Sequence, residues 1–275
     1  MTEPRPESAG APARPGTAVV TGAAGGIGSA LVRRLVADGH RVVATDLPGP
    51  ALETLSAVTG AHAVAADLAT EDGVAAAVAG AQAYLGDVDL WCGNAGVEAG
   101  RGLETSEGDW ALAHDLNVMA HVRTARLLVP GWVERGRGRY VVTASAAGLL
   151  TMLGSPAYSV TKHGAVAFAE WLSATYRHTG VVVQAVCPQG VATRMYAEAG
   201  ALRDLLGRDA VLTPEQVADA VAAALEHDDF LVLPHPEVAT YYRGRAADTH
   251  RWLAGMNRVQ QALERAPLDQ DGAAG

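Results

Sequence analysis

Short valine-rich runs alternate with longer alanine- and leucine-rich stretches along most of this chain. Residues 17–21, 41–45, 62–66, 88–92, 139–143, 181–186 and 230–233 read as strands. Residues 27–38, 50–58, 71–85, 107–129, 156–178 and 214–226 carry apolar residues at helical spacing. The last of these opens on Thr213, Pro214 and Gln216. A capping threonine, a proline at the first helical position and a glutamine at the third make a capping box. Strands and helices in strict alternation predict one doubly wound, mostly parallel α/β sheet of seven strands with helices on both faces. In such sheets ligands bind beyond the carboxyl ends of the strands, near the point where the strand order reverses. The residues that follow each strand are therefore the ones to read for chemistry.

Composition narrows the alternatives. The chain has 275 residues and a net charge of −9, with 31 Gly and only 5 Trp, 7 Tyr and 2 Phe. Small aliphatic residues at this density suit buried parallel strands better than an aromatic-rich sandwich. The acidic balance argues against a nucleic-acid partner. Two cysteines, Cys92 and Cys187, build neither a disulfide framework nor a thiolate zinc site, and both fall in inner strands as packing residues. The nine histidines show no metal-ligand spacing, so no metal is expected. No apolar run reaches eighteen residues, and the start lacks a basic segment followed by an apolar one, so neither a membrane span nor a secretory signal is expected and the cytoplasm is the default. The Pro/Ala/Gly-rich residues 1–15 read as a disordered arm and 267–275 as a tail. Between them, 16–235 reads as the sheet domain and 236–266 as a helical extension of it.

The first strand runs into Thr21-Gly22-Ala23-Ala24-Gly25-Gly26-Ile27-Gly28. Gly22 permits a tight turn, Gly26 lets backbone approach a pyrophosphate, and Gly28 lets the next helix pack closely. The helix N-terminus then offers free N–H groups to the phosphates. The second strand ends at Asp46, whose carboxylate is placed to accept hydrogen bonds from a ribose diol and to repel a 2′-phosphate. Leu47 follows, where a phosphate site calls for a cation, and the cradle holds no Lys or Arg. The expected cofactor is NAD, with NADP as the alternative.

Tyr158 and Lys162 stand four residues apart early in a helix and so share a face. An ammonium beside a phenol favours phenolate, which suits the tyrosine to exchange a proton with an alcohol or carbonyl. Ser145, at the end of the preceding strand, is in reach of the same oxygen. These motifs, in order with Asp67-Leu68, Asn94-Ala95-Gly96-Val97 and Asn117, resemble the short-chain dehydrogenase/reductase family over nearly all of 16–235. The compact length and the first glycine spacing resemble its single-domain oxidoreductase branch.

The resemblance implies a Rossmann-like fold and a set of roles. Tyr158 would be the general acid/base, Lys162 would lower its pKa and hold the nicotinamide ribose, Ser145 would orient the reacting oxygen, and Asn117 would hold a relay water. Asp67 and Leu68 would border the adenine, and Asn94, Ala95 and Gly96 would line the cofactor. Pro188, Gly190, Val191 and Thr193 match the segment that meets the nicotinamide. Gln189 departs from the family pattern, where a glycine usually follows the proline, and sets a side chain near the substrate. Dimers or tetramers through the helices carrying Asn117 and Tyr158 are also implied.

Leu149, Leu150, Met152 and Leu153 lie between Ser145 and Tyr158. With Met195 and Tyr196 they suggest a largely apolar pocket. The reading is an NAD(H)-dependent oxidoreductase of a small-molecule secondary alcohol or ketone. The alternatives are an NADP(H)-dependent carbonyl reductase on the same fold and a non-catalytic dinucleotide-binding sensor.

Overall fold

The computed structural model describes residues 16–265, so the arm expected over 1–15 and the tail over 267–275 lie outside the described residues. Seven strands, β1 (Thr17–Thr21), β2 (Arg41–Asp46), β3 (His62–Ala65), β4 (Leu90–Gly93), β5 (Gly138–Thr143), β6 (Val181–Val186) and β7 (Leu231–Val232), form one sheet in the order β3-β2-β1-β4-β5-β6-β7. Every neighbouring pair is parallel. Strand order reverses between β1 and β4, which opens a crevice at their carboxyl ends.

Twelve α-helices accompany the strands among the described residues: α1 (Gly26–Ala37), α2 (Pro50–Thr59), α3 (Glu71–Leu85), α4 (Glu107–His114), α5 (Ala120–Arg135), α6 (Ala147–Leu150), α7 (Pro156–Tyr176), α8 (Arg194–Ala197), α9 (Arg203–Leu206), α10 (Pro214–Ala224), α11 (Glu237–Ala247) and α12 (Thr249–Arg265). The sheet is covered on both faces, and strand periodicity sorts its side chains between two cores. Val19 and Val43 join the core with α3, α5 and α7, through Val78, Leu128 and Ala169. Ala18, Val20, Val42 and Ala44 join the opposite core with α1 and α10, through Leu31, Leu35 and Val221. The capping box at Thr213 is formed, with Thr213 and Gln216 each bonding the other's backbone.

Three elements differ from the sequence reading. The helix expected over 107–129 is α4 and α5 joined by a π-helical turn, Asp115–Met119, and α5 runs past Pro130 to Arg135. The segment after β7 is two helices, broken where Asp248 turns extended. The last strand keeps two residues, because β7 is an edge strand with one partner, β6.

Candidate active site

The crevice is closed at its base by interlocked strand ends. Thr21 at the end of β1 accepts hydrogen bonds at Oγ1 from the backbone N–H of Asn94 (2.9 Å) and Ala95 (3.0 Å). Asn94 Nδ2 returns bonds to Thr21 O (3.1 Å) and Gly22 O (3.3 Å). Gly22 takes φ +60°, and a Cβ there would lie 2.8 Å from Ala95 Cα, so turn and close approach both require glycine. A Cβ on Gly28 would fall 1.9 Å from Gly22 O, which fixes how tightly α1 enters behind the turn. Gly26 lies against Thr193, whose Cγ2 would be 2.7 Å from an added Cβ. The loop after β6 thus comes down onto the glycine turn.

α1 begins at this turn with no side chain capping it and no acidic residue in its first turn. Its first N–H groups and its positive dipole end are left for an anion, so this surface fits the pyrophosphate of a dinucleotide. Ile27 packs into the core behind it. At the end of β2, Asp46 Oδ2 accepts from Ala24 N–H (2.8 Å) and Oδ1 from Leu47 N–H (2.7 Å), which ties the carboxylate to the cradle's rim, while the Leu47 side chain is 58% exposed. Asp67 accepts at Oδ1 from Ala69 N–H (3.0 Å). Leu68 is buried in the core, so anything it offers a ligand comes from its backbone.

The catalytic candidates gather at the ends of β4 and β5 and the start of α7. Tyr158, Ser159, Thr161 and Lys162 are all buried. Ser145 lies close enough to the Tyr158 hydroxyl to favour its phenolate, and Ser145 Oγ accepts from Ala147 N–H (3.1 Å). Lys162 Nζ donates to Thr143 O (2.9 Å) and stands 5.6 Å from the centre of the Tyr158 ring. Asn117 sits in the π-helical turn. Its Oδ1 accepts from Val97 N–H (2.8 Å), and its Nδ2 donates to Val97 O (2.9 Å) and Thr161 Oγ1 (3.0 Å). The side chain therefore splints the β4 loop to α7. A Cβ on Gly96 would lie 3.1 Å from both Asn117 Oδ1 and Lys162 Nζ, so the backbone of Asn94-Ala95-Gly96 runs directly past the lysine.

In the free chain the electrostatics differ from the expectation that Lys162 lowers the tyrosine. Burial pushes the Tyr158 hydroxyl up to about 12. The nearby Ser145 hydroxyl opposes this, and the charge of Glu98 adds to it. Burial pushes the Lys162 ammonium down to about 8. Both groups are poised by desolvation. Cys187 and Cys92 are each pushed up to about 12 by burial, which keeps them as thiols.

Pro188 O accepts from Ala146 N–H (2.8 Å) and joins the β6 loop to the Ser145 strand end. Gly190 O accepts from Leu212 N–H (3.0 Å), and Val191 bridges to Leu212. Thr193 caps α8 through Tyr196 N–H. Gln189 does not end at the tyrosine. Its Nε2 donates to Asp209 (3.3 Å), which also accepts from the Tyr241 hydroxyl (2.9 Å), and its backbone N–H donates to Nδ1 of buried His235 (3.1 Å). The Tyr196 hydroxyl donates to Arg203 O (3.3 Å), Met195 is exposed, and Leu153 is half-buried. Leu149 belongs to the main core instead of a pocket wall.

The sequence reading missed two charged residues on the substrate side. Glu98 accepts at Oε1 from the Ser155 hydroxyl (2.5 Å), and Arg101 donates to Ala199 O and Glu198 O (both 3.0 Å). The available signal was position alone: Glu98 follows Val97, the residue that Asn117 clamps. Among the described residues no cluster of His, Cys, Asp or Glu suits a metal, and no helix is long and apolar enough to cross a membrane.

The short chain dehydrogenase family model matches residues 16–203. The chain is 36% identical to 1-deoxy-11-beta-hydroxypentalenate dehydrogenase of Streptomyces avermitilis, over 88% of this chain and 92% of that protein. It is 33% identical to 2-(R)-hydroxypropyl-CoM dehydrogenase of Xanthobacter autotrophicus, over 83% and 94%. Its structure is similar to a short chain dehydrogenase/reductase from Burkholderia phymatum solved in complex with NAD, with a TM-score of 0.77, 30% identity, and coverage of 85% and 94%.

Proposed function

From the premise that the chain belongs to the short chain dehydrogenase family, we propose that it is an NAD(H)-dependent oxidoreductase of secondary alcohols and ketones. The observation that carries this reading is the buried Tyr158 beside Ser145, with Lys162 Nζ 5.6 Å from the centre of the phenol ring. The named dehydrogenase relatives support it. NAD over NADP is supported by Asp46, whose carboxylate at the end of β2 would repel a 2′-phosphate.

Gly22, Gly26 and Gly28 with the start of α1 would hold the pyrophosphate, Asp46 the adenosine ribose, and the 188–193 segment the nicotinamide side. The bound cofactor supplies hydride acceptance: the C–H bond of the carbinol carbon breaks and its electron pair leaves as hydride. Tyr158 Oη takes the hydroxyl proton as the C=O bond forms, and returns it in the reverse direction. Ser145 steadies the same oxygen. Lys162 lends positive charge to the phenolate and Asn117 holds the β4 loop against α7. The exposed Leu127, Val160 and Trp171 on α5 and α7 are, in this reading, where two copies associate. Light scattering of the eluted protein tests that, and a monomer at micromolar concentration overturns it.

The deciding experiment is a screen of alcohols and ketones with NAD(H) and NADP(H), read at the nicotinamide absorbance, with Tyr158→Phe beside the wild type. The expected result is turnover with NAD(H) that falls by about 10²–10⁴ in Tyr158→Phe while NAD still binds. Retained turnover in the variant overturns the mechanism, and tighter binding of NADP overturns the cofactor assignment.

A further inference from the structure

Where the sequence suggested a largely apolar pocket, a carboxylate stands within electrostatic reach of Tyr158. Glu98 lies in the loop after β4, one residue past Val97, which Asn117 fixes from both sides. Its side chain is only 9% exposed. Oε1 accepts from the hydroxyl of fully buried Ser155, which precedes α7 and stands three residues before Tyr158. Arg101 Nη2 forms an ion pair with the same oxygen at 3.6 Å, longer than a hydrogen bond. That guanidinium is spent on the carbonyls of Glu198 and Ala199 in the loop after β6. Among the described residues the second carboxylate oxygen takes no hydrogen bond. Its charge reaches Tyr158, whose hydroxyl it helps to hold up.

The second oxygen, Oε2, is left open to solvent, where a donor on a ligand can take the place of water. Three walls converge here: the β4 loop, the start of α7 and the loop after β6. Arg101 pairs with Oε1, so what the corner offers a ligand is Oε2, a hydrogen-bond acceptor that a hydroxyl or ammonium can use and a carboxylate cannot. We propose that Glu98 is a specificity-determining residue that receives a hydrogen-bond donor, a second hydroxyl or an ammonium, close to the reacting carbon. The substrates are then diols and amino alcohols ahead of plain alcohols, and carboxylic acids are disfavoured. This rests on the reading of the chain as an alcohol oxidoreductase.

The test uses the full chain with NAD and four matched compounds: 1-phenylethanol, 1-phenyl-1,2-ethanediol, 2-amino-1-phenylethanol and mandelate. The readout is kcat/KM for each in wild type and in Glu98→Gln, whose amide oxygen still accepts from Ser155. The expected result in the wild type is at least a tenfold preference for the diol and the amino alcohol over 1-phenylethanol, with mandelate last. In Glu98→Gln the amino-alcohol preference falls at least tenfold and mandelate gains. A purely structural role would lower all four together and leave the ratios alone, which overturns the proposal. Equal or better use of 1-phenylethanol by the wild type also overturns it, and needs no variant. If no alcohol is turned over at all, the alcohol oxidoreductase reading falls, and this inference with it.

Discussion

Lys162 is an ammonium taken out of water with one neutral partner, Thr143 O, and burial holds it near 8. Tyr158 in the free protein stays protonated until about 12. The two directions of the reaction should therefore respond to pH with opposite sign. Oxidation needs the phenolate, which is scarce at neutral pH and grows as pH rises. Reduction needs the phenol, which is present throughout. The expected kcat/KM for alcohol oxidation climbs from about pH 6 to 9, while ketone reduction stays level or declines. Lys162→Met should depress oxidation at pH 8 by about 10²–10⁴. pH–rate profiles in both directions check this, and an oxidation rate that falls with rising pH would count against Tyr158 as the base. The Tyr158–Lys162 pair was legible because spacing of four places two residues on one helix face. Glu98 was not, because a loop residue has no periodicity and its neighbours Ser155 and Arg101 are assembled only by the fold.

At the scale of elements, α4 and α5 show where periodicity misleads. A π-helical turn adds one residue to a helical repeat with little mark on composition, so 107–129 read as one helix. That range stops at Val129, just before Pro130, which has no backbone donor. Yet α5 continues because Trp132 is 1% exposed and its indole N–H donates to Val88 O (2.7 Å). Tertiary packing outweighs the lost bond. α11, invisible in its details from sequence, ties two walls of the crevice together from adjacent turns. Tyr241 donates to Asp209, and Arg245 donates to Leu149 O in the α6 turn after Ser145 and to Nε2 of His163 on α7 (3.0 Å). Arg245→Ala should cost about 1–3 kcal/mol of stability, read as a lower urea midpoint, and lower kcat more than it weakens NAD binding. An unchanged midpoint would mean that water replaces these bonds at no cost.

For the whole molecule, the cost of acid is written in buried imidazoles. His121 is 2% exposed, bonded through Nδ1 to the Tyr140 hydroxyl (3.0 Å), and its Nε2 has no hydrogen-bond partner among the described residues. Burial, assisted by the charge of Lys162, pushes it down to about 3. Below about pH 6.5 the unfolded chain takes up a proton at this residue and the folded chain does not, so stability falls as pH drops from about 6.5 towards 3. His235, lowered chiefly by burial, adds to the same slope. Urea midpoints at pH 7 and 4.5 should separate in the wild type and separate less in His121→Gln. Equal separation in both would remove His121 from the account. The sheet itself was the most legible feature, because seven buried runs and the helices between them admit few arrangements.

The strand order has one more consequence, for the chain as it leaves the ribosome. Ala18 pairs with Val42 on one flank and Leu90 on the other, so β1 waits for β4 to be synthesised before both its edges are covered. Val181 to Val186 then join β5 far later, and the 188–193 segment that meets Gly26 later still. A nascent chain halted short of β6 would carry the phosphate cradle, the serine and the tyrosine, yet keep β5 open along one side. Its most hydrogen-bond-hungry edge would lie beside its chemistry, and slow assembly with exposure to chaperones is the expected folding behaviour of such long-range pairing.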